Sequence, residues 1–345
     1  DLADFHIETE NTKSYAAFRP LGPVLAVMPW NFPFWQVLRF AAPAIAAGNV
    51  GLLKHASNIP GCALALEELF RDAGAPDGVF QTLMIRADAV AAVIEHPDIA
   101  AVTITGSTPA GRNVASTAGD NLKKSVLELG GSDPYVVLED ADLEKTVESC
   151  IASRLMNTGQ TCIAAKRLIV VEDVLDEFTE RLVGEMKKKT YGDPMDESID
   201  LGPMARADLR DELHDQVLRS IDGGAECLLG GESPNIKGAF YPPTVLGNVK
   251  IGTPAFEEEL FGPVACIVPA ADEGEAVRLA NDSPFGLGAA VFTKDEARGE
   301  RIARDELQAG SCFVNDFVKS DPRLPFGGVK ESGYGRELSS FGLRE

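Results

Sequence analysis

The sequence predicts an α/β protein of two domains, each built around a mainly parallel sheet. Short β-branched runs alternate with amphipathic stretches in two successive series, which is the pattern of βαβ units. Between the series lies Leu127-Glu128-Leu129-Gly130-Gly131-Ser132-Asp133-Pro134, whose glycine pair and Asp-Pro step punctuate the chain. A length of 345 residues is enough for two such cores.

In the first series the strands are Val24 to Met28, Val50 to Lys54 and Ala101 to Thr105, with helices near Gln36 to Ala47, from Gly61 to Ala73, and from Pro109 onward. In the second, strands at Tyr135 to Leu138 and Arg167 to Val171 flank a helix from Leu143 to about Arg154. A long amphipathic helix follows over Val174 to Lys189. The glycine-rich tail Pro325 to Gly335 reads as a structured loop, because glycine lets backbone close tightly on its neighbours.

Composition narrows the function classes. Lys and Arg total 32 against 53 Asp and Glu, a net charge of −21, so the overall field repels nucleic acid and anionic membranes. Six scattered cysteines with no C-x-x-C pair, and four histidines that do not cluster with them, argue against a metal site or a disulfide framework. Dispersed free thiols favour a reducing, cytoplasmic setting. The longest nearly apolar run, Ala41 to Leu53, is too short to span a bilayer, and the acidic start Asp1 to Ser14 does not read as a signal peptide.

Four local patterns carry chemistry. Cys162 ends the polar loop Asn157-Thr158-Gly159-Gln160-Thr161-Cys162, where exposure suits a nucleophile, although most free cysteines are core residues. In Pro29-Trp30-Asn31-Phe32-Pro33 two prolines stiffen a turn after a strand, so the Asn31 amide is aimed either at an oxyanion or at the turn's own backbone. Glu128 beside the glycine pair is either a general base or a capping carboxylate. Gly106-Ser107, between a strand and a helix that opens with Pro109, suits a phosphate or an ordinary capped helix.

Taken jointly, "PWNFP" at 29–33, "LLK" ending at Lys54, "TGS" at 105–107, "LELGG" at 127–131, "NTGQTC" at 157–162, "EELFGPV" at 258–264 and "PFGGVKESGYGRE" at 325–337 resemble the NAD(P)-dependent aldehyde dehydrogenase superfamily. The motifs run in family order and are most like the bacterial succinate-semialdehyde dehydrogenase subgroup. The resemblance implies an oligomerisation arm over 1–20, a Rossmann-type cofactor domain over 21–130, an α/β catalytic domain over 131–325 and a closing bridging segment over 326–345. It also implies that the chain is shortened at both ends and that the longer form is a homodimer or homotetramer.

Residue by residue, the resemblance makes Cys162 the nucleophile, Asn31 the oxyanion donor and Glu128 the general base. Trp30, Lys54, Ser57, Gly106, Ser107, Glu259 and Phe261 are then cofactor contacts, with core packing the alternative for Phe261. Ser57 stands where NAD-preferring relatives often carry Glu, so both NAD and NADP are admitted. Arg39 and Ser320 are the expected substrate residues. A guanidinium fork at Arg39 suits a remote carboxylate, with a surface ion pair as the alternative, and Met156 stands where familiar relatives place a second arginine. The implied reaction is oxidation of a small aldehyde, succinate semialdehyde first, to the acid through a thiohemiacetal and a thioester. Alternatives are a general dehydrogenase for neutral aldehydes, a CoA-acylating enzyme, a cofactor-free cysteine hydrolase or a non-catalytic protein on this fold.

Overall fold

The computed structural model describes residues 2–345; Asp1, the first residue of the expected arm, lies outside the described residues. Two compact units emerge. One comprises the chain up to Leu129 with Ser320–Gly328 and Ser332–Glu345, the other Gly130–Lys319 with Val329–Glu331. The tail expected as one bridging segment is thus divided, all but its three residues Val329–Glu331 folding with the first unit.

The first unit opens with the short strands β1 (Phe5–His6) and β2 (Tyr15–Ala16), which pair antiparallel and are exposed. Then come β3 (Pro23–Met28), α1 (Trp35–Ala46), β4 (Val50–His55), α2 (Pro60–Asp72), β5 (Phe80–Thr82), α3 (Val90–Glu95), β6 (Ala101–Thr105), α4 (Thr108–Asp120) and β7 (Lys124–Glu128). Proline in the first turn starts both α2 and α4, where a missing N–H costs nothing.

The second unit follows with β8 (Asp133–Val137), α5 (Leu143–Leu155), β9 (Ala165–Val171), α6 (Glu172–Met186), α7 (Ala207–Asp222), β10 (Glu226–Leu229), β11 (Thr244–Gly247), α8 (Pro254–Glu257), β12 (Val264–Ala270), α9 (Glu273–Asn281), β13 (Gly288–Phe292), α10 (Glu296–Arg301) and β14 (Ser311–Val314). Asp142 caps α5 and Asp272 caps α9, each carboxylate accepting an amide three residues on. The chain then returns to the first unit with β15 (Gly333–Tyr334) and α11 (Ser339–Arg344).

Among the described residues the first unit's main sheet runs β15-β7-β6-β3-β4-β5, parallel except for the antiparallel edge pair β15/β7. Strand order reverses direction between β3 and β6, which creates a switch point outside their carboxyl ends. Both faces of this sheet are covered, as parallel sheets require. Val24, Ala26 and Met28 of β3 pack into one cluster with Val37, Phe40 and Leu66, while Leu25 packs on the other face with Ile94, Val102 and Val114. Leu53 is fully buried, and its truncation to alanine is worth about 2–5 kcal/mol of stability.

The second sheet runs β10-β11-β12-β9-β8-β13-β14, with β10 its antiparallel edge. The same alternation fills its two faces. Val136, Ile169 and Val171 point into one core, and Tyr135, Val137, Leu168 and Val170 into the other. At the start of β9, Lys166 and Arg167 are consecutive and completely buried, so two cations leave the strand toward opposite faces.

Candidate active site

The parallel sheet of the first unit ends all its central strands along one edge, and most of the expected site residues stand there. The registers Val27↔Lys54, Val27↔Ile104 and Thr105↔Glu128 align the carboxyl ends of β3, β4, β6 and β7. Trp30 and Asn31 therefore follow β3, Lys54 stands at the end of β4 with Ser57 just beyond it, Gly106 and Ser107 follow β6, and Glu128 closes β7. Lys54 is mostly buried, and burial holds its ammonium below the usual lysine range. Ser57 and Ser107 are exposed, and Trp30 and Asn31 half-buried.

His55, which the sequence reading passed over, secures the Asn31 turn. Its Nε2 lies 2.9 Å from the Pro33 carbonyl oxygen and its Nδ1 3.2 Å from that of Met28, so one imidazole spans both sides of Trp30-Asn31-Phe32. The Gly106 turn is fixed to the next strand in the same way, its N–H donating to the Glu128 carbonyl at 3.0 Å. At the start of α4, Ser107 has an extended backbone and makes no side-chain cap, which leaves first-turn amides for a ligand.

Glu128 is buried because β15 lies over β7, with Gly333 opposite Glu128 and the Leu129 N–H bonded to the Ser332 carbonyl. Only glycine suits that position: Gly333 has φ +115°, and a Cβ there would collide with the Leu127 carbonyl. The Glu128 carboxyl accepts the Gly328 N–H, while its Oε1 has no hydrogen-bond partner. Burial pushes this carboxyl up to about 8 from the usual 4.5; Arg39 pulls it down, Glu337 pushes it up and Arg336 pulls it down. At neutral pH such a group is largely protonated and still within reach of ionisation, which is the condition a general base near pH 8 needs.

Arg39 differs from the expected open clamp. It sits on α1, is almost fully buried, and its Nε is ion-paired with Glu337. Its Nη2 lies 3.4 Å from the Thr105 hydroxyl and its guanidinium 4.5 Å over the Phe326 ring. The guanidinium that the resemblance offers to a substrate carboxylate thus faces the protein's own Glu337, in a buried pair rather than the surface ion pair of the alternative reading. Ser320 has its Oγ shielded from solvent with no hydrogen-bond partner, and the nearby Arg323 is exposed and bonded to Asp321.

In the second unit Cys162 is half-buried at the end of a tightly wound loop. Asn157 and Thr158 both have left-handed backbone (φ 53° and 56°), and Gly159 continues at φ +75°. A side chain on Gly159 would collide with the Gly262 carbonyl, so the loop is folded against "FGPV". Buried polar groups hold it: Arg154 Nη2 donates to the Gly159 carbonyl at 2.5 Å, and the Gln160 side chain accepts the Ala205 N–H at 2.9 Å. Lys166 Nζ donates to the carbonyls of Thr161 at 2.9 Å and Cys162 at 2.7 Å.

Glu259 joins the same network, its Oε1 lying 3.2 Å from Lys166 Nζ and accepting the Gly131 N–H at 3.1 Å. Phe261 is half-buried with its ring centre 5.9 Å from Lys166 Nζ. Behind them Asp133 accepts the Gly288 N–H at 3.1 Å, and burial pushes its carboxyl up to about 7 against the pull of Lys166. Lys166 and Asp133 were both missed as site components. Only a lysine four residues after the cysteine, and an acid read as turn punctuation, marked them in the sequence. Among the described residues no group of His, Cys, Asp and Glu is placed to hold a metal ion.

A doubly covered parallel sheet with ligand-type groups at its switch point, and a separately braced cysteine loop, define an oxidoreductase-like architecture; the chain belongs to the aldehyde dehydrogenase family, which it matches over residues 2–345. It is 54% identical over 336 residues to the NAD(P)+ succinate semialdehyde dehydrogenase of Escherichia coli, covering 97% of this chain and 72% of that one. Identity to succinate-semialdehyde dehydrogenase (NADP+) 1 of Mycobacterium tuberculosis is 49% over 332 residues, 96% of this chain and 72% of the relative. The solved succinic semialdehyde dehydrogenase of Streptococcus pyogenes, in complex with NADP+, superposes with a TM-score of 0.97 at 40% identity, covering 99% of this chain and 75% of that one.

Proposed function

We propose that this protein oxidises succinate semialdehyde to succinate with NAD(P)+, using Cys162 as nucleophile. The observation that carries the chemistry is Glu128, a buried carboxyl raised to about 8 with one oxygen unengaged, which equips it to take a proton from water. The substrate follows from the relatives, which carry this activity at 49–54% identity over at least 96% of the chain.

In this reading the Cys162 thiolate attacks the aldehyde carbon, and the Asn31 amide with the Cys162 N–H stabilises the resulting oxyanion. A nicotinamide held at Glu259 and Phe261 would supply the hydride acceptor, and loss of the hydride from the thiohemiacetal carbon would leave a thioester on Cys162. Glu128 then draws a proton from water, the hydroxide adds to the thioester, and the carbon–sulfur bond breaks to release the acid and the thiol. The first unit fits a dinucleotide because its uncapped α4 start and Lys54 lie along one sheet edge. Trp30, Lys54, Ser57, Gly106 and Ser107 would hold it there, with Glu259 and Phe261 serving the nicotinamide end. Ser57 has no carboxylate to repel a 2′-phosphate, so both cofactors are accepted.

Carboxylate recognition falls to Ser320, whose hydroxyl is shielded and unengaged, rather than to an unpaired Arg39. The ion pair of Arg39 is also the observation favouring the broader reading, a dehydrogenase of neutral aldehydes. Among the described residues no helix is long and apolar enough to cross a membrane. We assign the enzyme to the cytoplasm as a homo-oligomer, its exposed Phe5, Ile7, Tyr15 and Phe18 supplying apolar contact area. Reduced-cofactor absorbance with succinate semialdehyde and with propanal, each with NAD and NADP, tests the proposal. A preference for the acid aldehyde that is weakened in Ser320→Ala upholds it, and equal rates return the reading to a general aldehyde dehydrogenase.

A further inference from the structure

We infer that Lys166 is a positioning residue for the nucleophile, fixing the backbone of Cys162 and supplying the positive charge that favours its thiolate, with Glu259 as the counter-charge that moderates this effect. The inference rests on the proposed role of Cys162 and adds a residue that no motif assigns.

A lysine ammonium has three protons to donate. Here the acceptors within reach number three: the Thr161 carbonyl at 2.9 Å, the Cys162 carbonyl at 2.7 Å and Glu259 Oε1 at 3.2 Å. Two of them bracket the peptide of Cys162 itself, whose N–H is the proposed oxyanion donor. Holding that peptide plane fixes both the N–H direction and the Cα–Cβ vector of the thiol. The lysine is 1% exposed, so its charge acts in a low-dielectric environment and over a short range.

The charged groups facing Lys166 are Glu259, Arg154, Asp133 and Cys162. Burial works against the ammonium, which Glu259 and Asp133 support and Arg154 opposes. Arg154 donates to the Gly159 carbonyl at 2.5 Å, so two buried cations stand behind one stretch of loop. Their carbonyl bonds orient the peptide dipoles of 159, 161 and 162 with oxygens inward. A thiolate at Cys162 gains from this arrangement, and a neutral thiol does not.

The test is the pH profile of alkylation of Cys162 by iodoacetamide, followed by peptide mass spectrometry so that the other five cysteines do not enter. Lys166→Met, similar in length and uncharged, is expected to raise the midpoint by about one pH unit and to slow alkylation at pH 7.5 about tenfold. Lys166→Arg is expected to recover most of the loss. A Lys166→Met protein with a native melting curve and the wild-type profile overturns the inference. Glu259→Gln keeps the lysine and removes its counter-charge, so the midpoint is expected to fall; an unchanged or raised midpoint also overturns it, even where Lys166→Met does not fold. Alkylation of Cys162 that leaves turnover intact would instead remove the nucleophile role, while the profiles still report on Lys166.

Discussion

Replacing Arg39 by methionine separates a substrate clamp from a residue that sets the charge of the base. Burial raises Glu128 from 4.5 to about 8, a net penalty on ionisation of about 5 kcal/mol, with Arg39 the first opposing influence. A bare neighbouring cation is worth on the order of 3 kcal/mol at an effective dielectric of about 20, and the ion pair of Arg39 with Glu337 cancels part of that. Loss of Arg39 is therefore expected to move the Glu128 midpoint up by about one to two pH units. The ionised fraction at pH 8 then falls roughly 5- to 50-fold, and the rate recovers as pH rises further. Glu337→Gln removes a neighbouring negative charge and is expected to move the midpoint down.

The assay is the steady-state rate after the first turnover, measured from pH 6 to 10 by reduced-cofactor absorbance, with KM for succinate semialdehyde at each pH. Opposite displacement of the pH limb in the two variants, with KM little changed, is the predicted result. An unmoved limb with a large rise in KM for the acid aldehyde in Arg39→Met would refute the reasoning and restore Arg39 as the carboxylate clamp.

Three further outcomes follow from the geometry. Glu128→Gln should give a single burst of reduced cofactor and then little turnover, because acylation of Cys162 proceeds while water is no longer activated; wild-type steady-state turnover would remove Glu128 from that role. Asp133 is raised from 3.8 to about 7 chiefly by burial, so its contribution to stability is complete below pH 4 and is lost as pH rises through 7. Asp133→Asn should accordingly flatten the urea midpoint between pH 5 and pH 8, and a constant offset from wild type across that range would contradict the assignment. Gly159→Ala places a Cβ against the Gly262 carbonyl at φ +75°, and should cost about 2 kcal/mol or more in denaturant melts as well as nucleophile reactivity. Unchanged melting would show that the loop is slack.

The sequence revealed most where chemistry and local geometry coincide. Strands β3, β4 and β6 were legible because their apolar runs are bounded by turn residues, and Pro109 announced the start of α4. Asn31, Glu128, the Gly106-Ser107 turn and Cys162 belong to contiguous motifs, so the first three could be placed at strand ends and Cys162 in the loop before β9. Arg39 was placed on its helix, but its partner Glu337 comes from a distant segment that only the β7/β15 pairing brings back. Lys166 lies just before the strand expected at Arg167 and belongs to none of the motifs, and its saturation by two loop carbonyls and Glu259 is a tertiary fact. Strands such as β13, Gly-Ala-Ala-Val-Phe and buried on both faces, carry no alternation to betray them. Asp133 sits in an Asp-Pro step that signals a turn, yet it begins β8, because its carboxylate caps the Gly288 N–H inside the core.

The central claim is that an aldehyde is oxidised while bound covalently to Cys162. Mass spectrometry of the Glu128→Gln protein, quenched in acid after exposure to succinate semialdehyde and NADP, tests it most directly. A succinyl group on the peptide containing Cys162, equal in amount to the reduced cofactor released in the burst, is the predicted result. A burst with no adduct on Cys162, or an adduct on another cysteine, would contradict it.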